Sequence, residues 1–160
     1  MTALTWSEAL ALQQPRMDQT HREFIDLLHA LETAVDAGPA ALDAHFGALV
    51  EHTEAHFGQE ERWMADIGFA PENCHAFQHA HVLQVLREVR GIVQRDGNAK
   101  LARQIVDELA TWFTAHAQSM DAALAQTMIE RGYDPETRTL RLPIAADAAP
   151  ITGCGGASCS

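Results

Sequence analysis

HTEAHFGQEERWM, residues 52–64, is the stretch on which the fold turns. It contains no proline, and its one glycine, Gly58, is tolerated inside a helix. As a helix it sets His56 and Glu60 at i and i+4, one above the other on a single face. Phe57 and Trp63 add apolar bulk beside them. Burying ionisable groups is costly unless they are paired or bound to a metal, so a His and a Glu on an apolar face need a reason.

Outward from this stretch, Leu42, Phe46, Leu49, Thr53, His56, Glu60, Trp63 and Ile67 follow one another by alternating steps of four and three residues. That period predicts a helix from Pro39 to about Ile67 with one core-facing seam, and Gly68 follows as a C-cap. Upstream, Met17, His21, Phe24, Leu28, Leu31 and Val35 make the same seam over Arg16–Ala37, stopped by Gly38-Pro39. Downstream, His75, His79, Val82, Leu86, Val89 and Val93 make a third helix from about Glu72 to Arg95. Leu101, Ile105, Leu109, Trp112 and His116 open a fourth, running from about Ala99 to Arg131.

The fourth seam then slips. Continuing by three or four residues gives Ser119 or Met120, Ala123 and Thr127, a poor core, whereas restarting at Asp121 gives Leu124 and Met128. Five residues rotate an ideal helix about 140° from a whole number of turns, so His116 and Asp121 would face apart. One extra residue, a π-bulge, realigns them, and a bulge is expected between the two.

Four helices joined by short loops imply an all-α, antiparallel up-down-up-down four-helix bundle over residues 16–133. Residues 1–15, closed by Pro15, read as an extended N-terminal arm. Residues 134–160, rich in Ala, Pro, Gly and Ser from Leu140 onward, read as a flexible tail.

At 160 residues the chain is most simply one domain. Its net charge of -11 argues against nucleic acid and anionic membrane surfaces, both of which favour basic patches. No apolar run is long enough to span a membrane, and the start lacks the basic and apolar regions of a signal peptide, so a cytoplasmic protein is the default expectation. Cys74, Cys154 and Cys159 are an odd number and not a disulfide framework.

Nine histidines are the unusual count. His21, His56, His75, His79 and His116 fall on core seams, from all four helices, together with Glu60 and Asp121. His29, His45, His52 and His81 each sit one residue off a seam. Any single seam histidine is more often a satisfied core residue than a ligand. Five of them with two carboxylates exceed what an apolar core can solvate, and imidazole and carboxylate are metal ligands. Seven side chains are too many for one ion. With both carboxylates bridging two octahedral ions, five histidines and two carboxylates fill nine of twelve positions. A bridging oxo or hydroxo group fills two more, leaving one open for a small diatomic ligand.

These pieces resemble the hemerythrins, in particular the bacterial single-domain type. The resemblance rests on His21 in MDQTHREF, His56 and Glu60 as H-x-x-x-E, His75 and His79 as H-x-x-x-H, and His116 and Asp121 as H-x-x-x-x-D, with Trp112 four residues before His116. It covers about residues 4–131. It implies a di-iron centre, oxo- or hydroxo-bridged, with His75, His79 and His116 on one iron. His21 and His56 would hold the other iron, with Glu60 and Asp121 bridging and O2 bound at the vacancy. Phe24, Phe57, Trp112 and Phe113 are the candidates for the pocket wall, against the plainer reading of core packing. The chain departs from the family at Ala117, where a bulky apolar residue is usual, and at Thr20, where a Gln is usual. A small residue at 117 favours autoxidation, or peroxide and nitric oxide chemistry, over reversible storage.

Weaker signals remain. His52 could replace His56 but lacks a Glu at i+4. A ferritin-like site needs two Glu-x-x-His pairs, and only Glu72–His75 fits. Cys74 is expected to be a buried free thiol. Cys154 and Cys159 read as two exposed thiols or, less simply, as a redox pair or soft-metal site, the one feature suggesting a redox partner. The functional expectation is a non-enzymatic carrier, store or delivery protein for O2. The alternatives are a di-iron oxidoreductase acting on peroxide, nitric oxide or iron, and a sensor acting in trans.

Overall fold

The computed structural model describes residues 4–153. Four helical rods form the molecule: α1 (Pro15–Ala34), α2 (Pro39–Asp66), α3 (Cys74–Asp96), and a fourth built of α4 (Ala99–His116), a π-helical turn (Ala117–Asp121) and α5 (Ala122–Arg131). Consecutive rods pack on each other and the fourth closes against α1, giving the antiparallel bundle. A short 3-10 turn, Glu8–Leu10, precedes it.

Local chemistry sets each boundary. Pro15 does not close the arm. It is the first residue of α1, where its missing N–H costs nothing. The Gln14 side chain caps the same end, accepting from the Arg16 and Met17 N–H groups at 2.9 and 3.0 Å. Asn73 and Asn98 cap α3 and α4, accepting from Ala76 and Leu101 N–H at 2.9 and 3.0 Å. Gly97 and Gly132, both at φ 61°, end α3 and α5 in the left-handed conformation that other residues adopt at a cost.

The apolar core has two parts. The larger runs from Phe24 and Leu28 on α1 through Phe46, Leu49 and Phe57 on α2 to Leu86, Leu109 and Phe113. The smaller gathers Met17, Trp63, Met64, Ile67, Leu124 and Met128 at the other end. Along α1, α2 and the fourth rod, the buried ionisable residues stand between these two parts.

The stretch from residue 134, read from its composition as a flexible tail, is held on the bundle in two places, near residues 133–140 and again at Ile151 and Thr152. Tyr133–Asp134 pairs antiparallel with Thr139–Leu140. The Tyr133 hydroxyl donates to Asp66 Oδ2 at 2.6 Å, and Arg138 clamps the same carboxylate with bonds of 2.8 and 2.7 Å. Further on, the chain returns beside the α2–α3 loop. Ile151 N–H donates to Gly68 O at 3.0 Å, Ala70 N–H to Ile151 O at 2.8 Å, and Cys74 N–H to Thr152 O at 3.1 Å. Pairing with a loop supplies the order that composition does not announce. Cys74, expected as a buried free thiol, is half-buried and disulfide-bonded. The expectations for Cys154 and Cys159 lie outside the described residues. No helix among the described residues is long and apolar enough to cross a membrane.

Candidate metal centre

Each rod delivers its ionisable residues to the same level. His21 lies two turns into α1, His56 and Glu60 near the end of α2, His75 and His79 in the first turns of α3, and His116 and Asp121 at the two ends of the π-turn. Antiparallel packing places the start of α1 and α3 beside the end of α2 and α4, so all seven meet. None is more than 5% exposed, and His21, Glu60, His79 and Asp121 are at 0%.

The π-turn is where the sequence places it. Ala122 N–H bonds back five residues to Ala117 O, interrupting the i to i−4 ladder. With the extra residue absorbed, Asp121 turns inward onto His116, whose Nε2 lies 3.1 Å from Asp121 Oδ1.

The contacts divide into two halves that share the carboxylates. On one side, His116 Nε2 lies 3.1 Å from His75 Nε2 and 3.2 Å from His79 Nε2. Facing them are Asp121 Oδ1, 3.0 Å from His75 Nε2, and Glu60 Oε2, 3.3 and 3.4 Å from His79 and His75. On the other side, His21 Nε2 is 3.1 Å from Asp121 Oδ2, and His56 Nε2 is 3.3 Å from Glu60 Oε1. Each carboxylate therefore turns one oxygen to each half. Donor atoms of Glu60, His75, His79, His116 and Asp121 lie within 4.8 Å of one another, and so do those of His21, His56, Glu60 and Asp121.

This set fits cations better than protons. All four carboxylate oxygens are buried without a hydrogen bond of acceptable geometry, despite their ion-pair distances to the imidazoles. Three imidazole nitrogens facing one another at 3.1–3.2 Å cannot all carry hydrogens. Those separations approach the edge of about 3.0 Å of an octahedron with bonds near 2.1 Å, and fall short of the tetrahedral edge of about 3.4 Å.

Without a metal the groups pull on each other's protons. Burial drives His56 down to about 4, only partly offset by the Glu60 carboxylate. Burial also works against a charged His75, but the Asp121 and Glu60 carboxylates outweigh it and raise the ring to about 9. His21 is raised for the same reason, burial being outweighed by Asp121 and Glu60. Burial and mutual repulsion oppose charge on Glu60 and Asp121, yet the surrounding imidazoles hold both carboxyls below their ordinary range.

The wall candidates line the histidines. Phe57 lies flat on His79, with centroids 3.8 Å apart and planes 3° apart, and also meets His56, His116 and Trp112. Trp112 stacks on His116 at 4.5 Å, and Phe113 meets His21 edge-on at 5.0 Å. Phe24 stands behind, stacked on Phe113. Ala117 is fully buried.

His52 stays outside both donor sets. Its Nε2 lies 3.1 Å from Thr20 O and its Nδ1 3.8 Å from Glu23. Sequence reasoning missed two side chains on the outer face. Gln78 Oε1 is 3.1 Å from His116 Nδ1, and Glu61 Oε1 is 3.5 Å from His79 Nδ1. The available signal was their place beside the seam, at Glu60+1 and between the two α3 histidines, with side chains long enough to reach past it.

Residues 14–127 match the family described as Hemerythrin HHE cation binding domain. The chain is similar to the bacteriohemerythrin of Ralstonia nicotianae, 38% identical over 84% of this chain and 95% of that protein. It is similar to those of Stenotrophomonas maltophilia, 25% identical over 78% of this chain and 81% of the relative, and Pseudomonas paraeruginosa, 24% identical over 76% and 79%.

Proposed function

The chain belongs to the hemerythrin family, and from that premise we propose that it is a di-iron protein that binds O2 reversibly as a carrier, store or delivery protein. The observation that supports this reading best is the split of the two carboxylates, one oxygen of each toward three histidines and the other toward two. His75, His79 and His116 would hold one iron, His21 and His56 the other, and Glu60 and Asp121 would bridge. When bound, such a pair supplies two electrons and one open coordination position for a diatomic ligand.

The chain's own contribution is placement and exclusion. Four rods bring the donor atoms of each half within 4.8 Å of one another, which favours binding by limiting the ordering it requires. The two-His half has one imidazole fewer, and this is where an open position is expected. Phe57, Phe113 and Trp112 cover the histidines with aromatic surface, which keeps water from charge that develops inside. A second reading, turnover of peroxide or nitric oxide at the same ions, is favoured by one feature, the small Ala117 directly after His116.

The test is anaerobic loading with Fe(II), admission of O2 and its removal, followed by visible absorption. A charge-transfer band that appears and then bleaches on removing O2 supports the carrier. Immediate conversion to a stable oxidised form, with turnover of peroxide, supports the enzyme. Uptake of zinc in place of two irons defeats both.

A further inference from the structure

Gln78 holds the outer edge of one site histidine. It lies on α3 between His75 and His79, half-buried, and crosses to α4, where its Oε1 is 3.1 Å from His116 Nδ1. His116 is the hub of the three-His half, its Nε2 lying 3.1–3.2 Å from both other imidazole nitrogens and 3.1 Å from Asp121 Oδ1.

The ring must present Nε2 as a lone pair, which places its single proton on Nδ1. Packing alone cannot ensure this. Trp112 stacks on the ring and sets its plane, but a half-turn about the Cβ–Cγ bond exchanges nitrogen and carbon positions and leaves the stack unchanged. A carbonyl oxygen opposite Nδ1 removes the ambiguity, because it accepts from N–H and gains nothing from C–H. His79, His21 and His56 differ. Glu61 lies 3.5 Å from His79 Nδ1 without hydrogen-bonding geometry, and Nδ1 of His21 and His56 is buried without a partner.

We propose that Gln78 is a positioning residue that fixes the Nδ1–H form and the orientation of His116, and so preorganises the three-His half. This rests on the metal reading given above. Two readouts separate the claims. The first is the ring tautomer of His116, from long-range proton–nitrogen NMR on the full metal-free chain at a pH where each ring carries one proton. The second is the rate at which the iron-loaded chain gives up iron to a chelator.

Wild type and Gln78→Glu, which keeps the acceptor, should both show Nδ1–H. Gln78→Met, which keeps an unbranched side chain but no acceptor, should show mixed tautomers and lose iron about tenfold faster or more. Gln78→Glu should stay within about threefold of wild type on the same scale. An unchanged tautomer in Gln78→Met, an Nε2–H ring in wild type, or a Gln78→Glu variant as impaired as Gln78→Met overturns the proposal. A wild type that binds no iron would defeat the metal reading instead, and the tautomer would still decide the role of Gln78. Should Gln78→Met fail to fold, by circular dichroism, the wild-type tautomer and Gln78→Glu carry the test.

Discussion

Truncating Phe57 probes whether the aromatic wall is a dry lining of the site or ordinary core. Its ring is 2% exposed and touches His56, His79, His116 and Trp112, from three helices. Phe57→Ala loses transfer energy and leaves a cavity, about 3–5 kcal/mol for a buried Phe. Loss of the parallel stack on His79 adds about 0.5–1.5 kcal/mol, for a total of roughly 4–6 kcal/mol. In a chain of this size that lowers the melting temperature by roughly 10–20 °C. Phe57→Leu refills most of the space and should cost about 1–2 kcal/mol. Urea unfolding of the metal-free and iron-loaded forms measures the cost, and the rate of spontaneous oxidation of the loaded form reads the wall. Both variants should oxidise faster than wild type, although only Phe57→Ala is strongly destabilised. A cost below about 2 kcal/mol for Phe57→Ala would refute the packing argument. A Phe57→Leu variant that oxidises at the wild-type rate would leave Phe57 as core alone.

Three further outcomes are expected. The metal-free chain should be most stable near pH 6.5, where neither His75 nor His56 exacts a penalty. His75, raised to about 9, stabilises below the unfolded value of 6.5, and that stability is lost as pH rises toward 9. His56, lowered to about 4, binds a proton more readily when unfolded, so stability falls as pH drops from 6.5 toward 4. Each arm is worth on the order of 3 kcal/mol, and thermal melts across pH read both. Ala117→Ile inserts three carbons at a fully buried position and should cost about 1–3 kcal/mol while slowing oxidation of the loaded form, by absorbance decay. Cys74→Ser should destabilise the non-reduced chain by about 2–4 kcal/mol in urea and leave the fully reduced chain nearly unchanged.

Much of the bundle was legible because three seams alternate steps of four and three and the fourth keeps to steps of three and four as far as His116, where its one slip forced the π-turn. The gap from His116 to Asp121 carried that inference, since a buried Asp and a buried His had to share a face. The clustering of the seven ionisable residues was legible for a related reason: such residues on a core seam have few places to go. What the seams could not show is anything reached from beside them. Gln78 and Glu61 have long side chains that cross between helices, and only the packing of α2, α3 and α4 brings them beside His116 and His79. Pro15 misled because proline ends an extended segment and begins a helix equally well, and the capping by Gln14 decides which. The tail misled because its order comes from backbone bonds to the α2–α3 loop and from the clamp of Arg138 and Tyr133 on Asp66, none of which has a local signature.

A dinuclear site requires Glu60 and Asp121 to be shared between two ions. Iron per chain, measured by elemental analysis after anaerobic loading and removal of excess metal, tests it most directly when wild type and Asp121→Asn are compared. Two irons in wild type and one or none in Asp121→Asn is the expected result, because that carboxylate faces both halves. A single iron in wild type, or two irons retained by Asp121→Asn, contradicts it.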